Sequence, residues 1–216
     1  MQIMKRLYAW RIMSTSRKFQ NFSFLVSRLI TNTFFRWRLI RCGEGCIIQS
    51  PLFWTPEFIS LGSNVFIWRG SRIEGLERYG DTLFHPHIEI GDRVSFQQSC
   101  HLIAAGHLSI GADTTISFEV FITDIDHQYE QVEMNVMYQP ITVRQTRIGK
   151  FCFIGAGAKI QAGTTLGDHC VVGANAVVRG TFPDCCVIAG VPARIIKRRD
   201  AKSGVWKKTN QFGEFI

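Results

Sequence analysis

An aliphatic residue returns every six positions through the C-terminal half of this chain, at Ile148, Ile154, Ile160, Leu166, Val172 and Val178. Gly follows four of the six, as Gly149, Gly155, Gly167 and Gly173. An earlier tract keeps the interval through Ile90, Phe96 and Leu102, slips by two residues, and resumes at Ile110, Ile116 and Ile122. A fainter one runs through Leu61, Ile67 and Ile73. An amphipathic helix would repeat its apolar residues at i, i+3, i+4 and i+7, so a six-residue beat is the wrong period for helix. Six residues suffice for one short strand and a corner, and three such units close a triangular turn of chain. Ile148 then stacks on Leu166, Ile154 on Val172 and Ile160 on Val178, with neighbouring turns about 4.8 Å apart in parallel pairing. Gly157, Gly163 and Asn175 fall at corners, where a tight turn favours positive φ.

With 216 residues, 46% of them hydrophobic, the chain makes one main domain with small terminal additions. Its formal charge of +8 is uneven: residues 1–41 hold nine Lys or Arg and no acid, whereas residues 42–193 hold nine bases and fifteen acids. Residues 194–208 hold seven bases against Asp200, and two basic ends around an acidic middle argue against a nucleic-acid partner and suit phosphate-bearing small ligands or a membrane surface. The seven cysteines are odd in number, and Cys100, Cys152 and Cys170 sit in apolar runs, which points to buried free thiols in a reducing cytoplasm. Cys42 and Cys46 have no second Cys/His pair at a matching interval, so they read as loop punctuation rather than a zinc site. No apolar run reaches membrane-spanning length, and the basic start lacks the charge, apolar block and cleavage-site order of a signal peptide.

Residues 1–41 read as one or two basic, aromatic-rich helices. Such a segment either caps the first turn of the repeat, covering its core and unpaired strand edges, or lies as an amphipathic segment on anionic lipid. The repeat domain then spans 42–197, and 198–216 form a tail.

The beat breaks once, between Ile122 and Ile148, where Asp124-Ile125-Asp126-His127-Gln128-Tyr129 opens a polar excursion, loop 128–147, through Gln139-Pro140. A long departure from a rigid repeat is characteristically a functional loop.

These tracts, with the closing Ile188-Ala189-Gly190-Val191-Pro192-Ala193-Arg194, resemble the hexapeptide-repeat acyltransferases over about residues 60–197. The resemblance implies a mainly-β fold, the left-handed parallel β-helix, preceded here by the N-terminal helical segment. It also implies a homotrimer with active sites between subunits, acetyl-CoA as co-substrate and no metal. The interval from Ile110-Gly111 to His127 resembles that of galactoside and maltose acetyltransferases, in which a His opens the excursion and acts as base. Many polysaccharide O-acetyltransferases of the family carry His-Asp-His or His-Asn-His here. Ile125 replaces the first of those histidines, which points to His127 alone.

Imidazole is the side chain suited to take a sugar hydroxyl proton near neutral pH. Asp126 or Asp124 is expected to fix its tautomer. By the same resemblance Gln97 stands where relatives often have an acceptor-binding Asn, and Phe153 where many have Trp, keeping the aromatic face without the indole N–H. Gly155, Ala156, Gly173 and Ala174 match small positions along which the family binds the pantetheine arm. Lys159, Arg179, Arg194, Lys197 and Arg198 are cations for the CoA phosphates.

The expected activity is acetyl-CoA-dependent O-acetylation of a sugar in a bacterial surface polysaccharide or its lipid-linked precursor. It would take place in the cytoplasm, with peripheral contact at the inner membrane through residues 1–41. Two other chemistries share the fold: N-acetylation of an amino sugar, and a carbonic-anhydrase-like metal enzyme using histidines such as His101 and His107.

Overall fold

The structure, a computed structural model, describes residues 14–210 and 213–216. Residues 1–13, the start of the expected helical segment, lie outside them. Three parallel sheets dominate, and the chain visits them in turn. The first holds Arg41–Cys42, Ile59–Leu61, His87–Ile90, His107–Ile110, Thr146–Ile148, Thr165–Leu166 and Thr181–Phe182. The second holds Ile47–Ile48, Phe66–Ile67, Ser95–Phe96, Thr115–Ile116, Phe153–Ile154, Val171–Val172 and Cys186–Gly190. Phe53–Trp54, Arg72–Gly75, His101–Ala104, Phe121–Thr123, Lys159–Ile160 and Val177–Val178 make the third.

Register follows the beat. Ile148 pairs with Leu166, Ile154 with Val172 and Ile160 with Val178, and these side chains are buried in one continuous core. Gly after the aliphatic residue has a steric cause. A Cβ on Gly149 would lie 2.5 Å from the Gly167 carbonyl carbon, and one on Gly111 would lie 2.6 Å from that of Gly149. The corner residues Gly157, Gly163 and Asn175 take φ of 69°, 77° and 56°, the left-handed conformation expected of them.

Before the sheets, helix α1, Thr15–Ile30, starts at Ser14, whose side chain accepts from the Arg17 amide, and runs into a π-helical turn over Thr31–Phe35. Phe24 meets the rings of Phe66 and Trp68 edge-on, and Phe35 meets Trp54. Between them the buried Thr31 hydroxyl donates to Ser27 O and accepts from the Ile48 amide, tying the helix to a second-sheet strand. At the other end, Ala193–Arg199 and Trp206–Lys208 extend the second sheet antiparallel. The expected edge at 197 lies within Ala193–Arg199, and Trp206–Lys208 pairs with that strand.

The repeat is interrupted twice, not once. Besides the excursion after Thr123, a short hairpin, Arg78–Tyr79 against Thr82–Leu83, leaves the third sheet after Gly75. Both departures start from strands of the same sheet, and so from the same side of the coil.

Candidate active site

The second departure is an antiparallel ribbon in which Ile125, Asp126 and His127 pair with Val143, Thr142 and Ile141. Its far loop is held by the buried Gln139, whose amide donates to the carbonyls of Gln131 and Met134 and accepts from the Gln131 N–H. At its root the Asp124 carboxylate, fully buried, accepts from the amides of Ala105 and Gly106 at 2.8 Å each. Those amides lie where the six-residue beat slips, so Asp124 fastens the irregular corner. Burial pushes its pKa upward, against the pull of those two donors.

Between ribbon and hairpin lies a cavity of about 590 Å³. Leu76, Ile103, Phe121, Ile125, Met137 and Ile141 give it apolar walls, and Arg72, Glu74, Tyr79, Asp126, His127 and Gln161 face it with polar groups. Arg72 Nε donates to Glu74 Oε2 at 2.6 Å. Tyr79, from the hairpin, reaches across to the ribbon. Its hydroxyl donates to the Met137 carbonyl at 2.7 Å and lies 3.3 Å from His127 Nδ1, the two rings meeting edge-on with centroids 5.5 Å apart.

The ring-orienting role expected of Asp124 or Asp126 is not what the geometry presents. Asp124 is turned to backbone amides, and Asp126 Oδ2 accepts from Arg144 at 3.3 Å and from Arg179. Arg179, expected to meet CoA phosphate, is thus committed to Asp126 at the cavity's edge. The group beside Nδ1 is Tyr79, which the repeat reading missed because the faint early tract hid its interruption. Two signals were present: Ile73 and Ile90 are not a multiple of six apart, and Tyr79-Gly80-Asp81-Thr82 is a two-residue hairpin sequence, with Gly80 at φ 57°.

Other expected site residues stand elsewhere on the chain. Gln97 follows a second-sheet strand, with its amide 3.5 Å from Ser95 Oγ, and Phe153 is exposed on the same sheet. Gly155, Ala156, Gly173 and Ala174 form corners between the second and third sheets. A Cβ on Gly155 would lie 2.7 Å from the Ala174 amide nitrogen, so stacking of turns by itself demands that glycine. Lys159, on the third sheet, lines a shallower hollow of about 440 Å³ that shares Phe121 with the main cavity, and its ammonium donates to Glu119 O. Arg194 and Lys197 lie on Ala193–Arg199, the first antiparallel strand added to the second sheet. His101 stands on the third sheet and His107 on the first.

Residues 145–180 match the family model described as bacterial transferase hexapeptide (six repeats). Over 188 residues the chain is 32% identical to WbbJ of Escherichia coli K12, named for lipopolysaccharide-biosynthesis O-acetyl transfer, covering 83% of this chain and 89% of that one. It is 28% identical over 157 residues to the galactoside O-acetyltransferase of Escherichia coli K12, covering 72% and 62%. Among solved structures, AntD, an N-acyltransferase of Bacillus cereus in complex with dTDP and 3-hydroxybutyryl-CoA, has a TM-score of 0.66 at 20% identity, covering 80% of this chain and 89% of that one. The chain belongs to the hexapeptide-repeat transferase family and is an acetyltransferase.

Proposed function

We propose that this chain moves the acetyl group of acetyl-CoA to a hydroxyl of a sugar in a bacterial surface polysaccharide or its precursor, with His127 as general base. The observation that carries the reading is the imidazole at the cavity wall, held by a tyrosine on one side. A phenol has one proton. Tyr79 gives it to the Met137 carbonyl at 2.7 Å, so toward Nδ1 its oxygen accepts. His127 then carries its proton on Nδ1, and Nε2 keeps a lone pair for the substrate.

Acetyl-CoA supplies an acyl carbon activated as a thioester. His127 Nε2 takes the acceptor's hydroxyl proton as the oxygen bonds to that carbon, and returns it to the sulfur as the C–S bond breaks. No covalent link to the protein forms. Ala156 and Ala174, partly or fully open at corners, leave backbone approachable for a thin pantetheine arm, and Lys159 offers an exposed ammonium nearby.

Within one chain, Gln97 and Phe153 point outward from the second sheet and His127 stands off the third. A second copy laying its second sheet against this third sheet would unite them, and the family resemblance supports a homotrimer with sites between subunits. The family resemblance supports a left-handed winding of the coil. Seven free cysteines suit a reducing cytoplasm.

Transfer to oxygen is favoured by the names of WbbJ and of the galactoside O-acetyltransferase of Escherichia coli K12. The test is release of free thiol from acetyl-CoA with neutral sugars, amino sugars and nucleotide sugars, and mass spectrometry of each product. Acetyl esters on neutral sugars are the expected result. Preferential amide formation on amino sugars, or no thiol release with any acceptor, would contradict it.

A further inference from the structure

We propose that the outward face of α1 and the turn after it rest on an anionic membrane surface. Among the described residues, the helix and the turn after it meet the coil through Phe24, Thr31 and Phe35. On its other side Phe19, Phe22, Val26 and Leu29 recur at helical spacing, with Leu25 beside them. Phe19 is 72% exposed, Phe22 63%, Leu25 66% and Leu29 64%, and the nearby Trp37 is 84% exposed. The side of a capping helix that meets water would be polar; on this one large apolar side chains predominate.

The charge around the face decides its partner. Arg17, Lys18, Arg28, Arg36 and Arg38 flank it, and no Asp or Glu occurs anywhere in residues 1–41. A second copy of the face would bring guanidinium against guanidinium with no acid to separate them. Anionic headgroups supply the missing charge, while the aromatic and aliphatic side chains enter the acyl boundary. No described helix is long and apolar enough to cross a membrane, so α1 would lie in the surface plane. This inference stands apart from the identity of the acetyl acceptor.

The experiment is sedimentation of the full chain with vesicles of phosphatidylglycerol and phosphatidylethanolamine, or of phosphatidylcholine alone, at low and high salt. A companion variant carries Phe19→Ser, Phe22→Ser and Leu29→Ser, substitutions confined to exposed positions, and its Tm is measured alongside. The wild-type chain should bind the anionic vesicles, lose part of that binding in high salt and bind phosphatidylcholine far less. The variant, with Tm unchanged, should bind anionic vesicles at least about tenfold less, since three apolar side chains no longer enter the acyl boundary. Equal binding by both proteins, or binding by neither, would overturn the proposal. So would light scattering that shows the face buried in a self-association which the variant loses.

Discussion

The walls of the coil and the two departures from its third wall are built on different rules. In the walls each buried aliphatic side chain meets its counterpart one turn away, as Ile154 meets Ile116 and Val172, so one residue type at one interval serves every turn. In the departures no interval repeats. Asp124, Gln139 and Tyr79 each hold a particular set of groups: two amides, two carbonyls with an N–H, and a carbonyl with an imidazole. Regular stacking supplies a rigid base, and single polar side chains fasten the irregular segments to it.

The contrast is sharpest where a wall residue is cut back. Ile154→Ala should lower unfolding free energy by about 2–5 kcal/mol, because the fixed spacing of the turns prevents the hole from closing. Denaturant unfolding measures this, and the folded variant should keep its Michaelis constants. Asp124→Asn acts at a root of the ribbon. One of the two amides loses its acceptor, and a cost of about 1–3 kcal/mol is expected. Its pH dependence has a definite sign. Since burial raises the folded-state pKa, this group's contribution to stability falls as pH rises from the unfolded carboxyl value, about 3.9, through the raised value. The Asn variant should lack that step.

Tyr79→Phe is the smallest change. Removing its hydroxyl leaves the ribbon in place and frees Nδ1. A lost hydrogen bond of about 1–1.5 kcal/mol corresponds to about a five- to tenfold fall in kcat. Long-range nitrogen–proton NMR of His127 should show the Nδ1–H form in the wild-type chain and a tautomer mixture in the variant. An unchanged tautomer with unchanged kcat would remove Tyr79 from the site.

The stacking of Ile148 on Leu166 and its neighbours was legible in the sequence because every turn repeats the same demand for volume. His127 was legible as the residue that opens the interruption of a strong beat. The hairpin bearing Tyr79 was not, since the beat on its N-terminal side is faint and the interruption is short. Nor was the turning of Asp124 onto Ala105 and Gly106. That contact joins backbone amides to a side chain one turn away, and such pairings leave no mark in spacing beyond the two-residue slip after Leu102. Which aspartate serves a histidine depends on directions that sequence distance does not encode.

The most direct measurement is the kcat of His127→Ala in acetyl-CoA thiol release, on protein whose Tm matches the wild-type chain. His127 lies at an exposed end of the ribbon, so its removal should leave the walls intact. A fall of about 10²–10⁴ in kcat at unchanged stability is the expected result for loss of a general base. A kcat within about threefold of wild type would contradict it, because no such base would then have been removed.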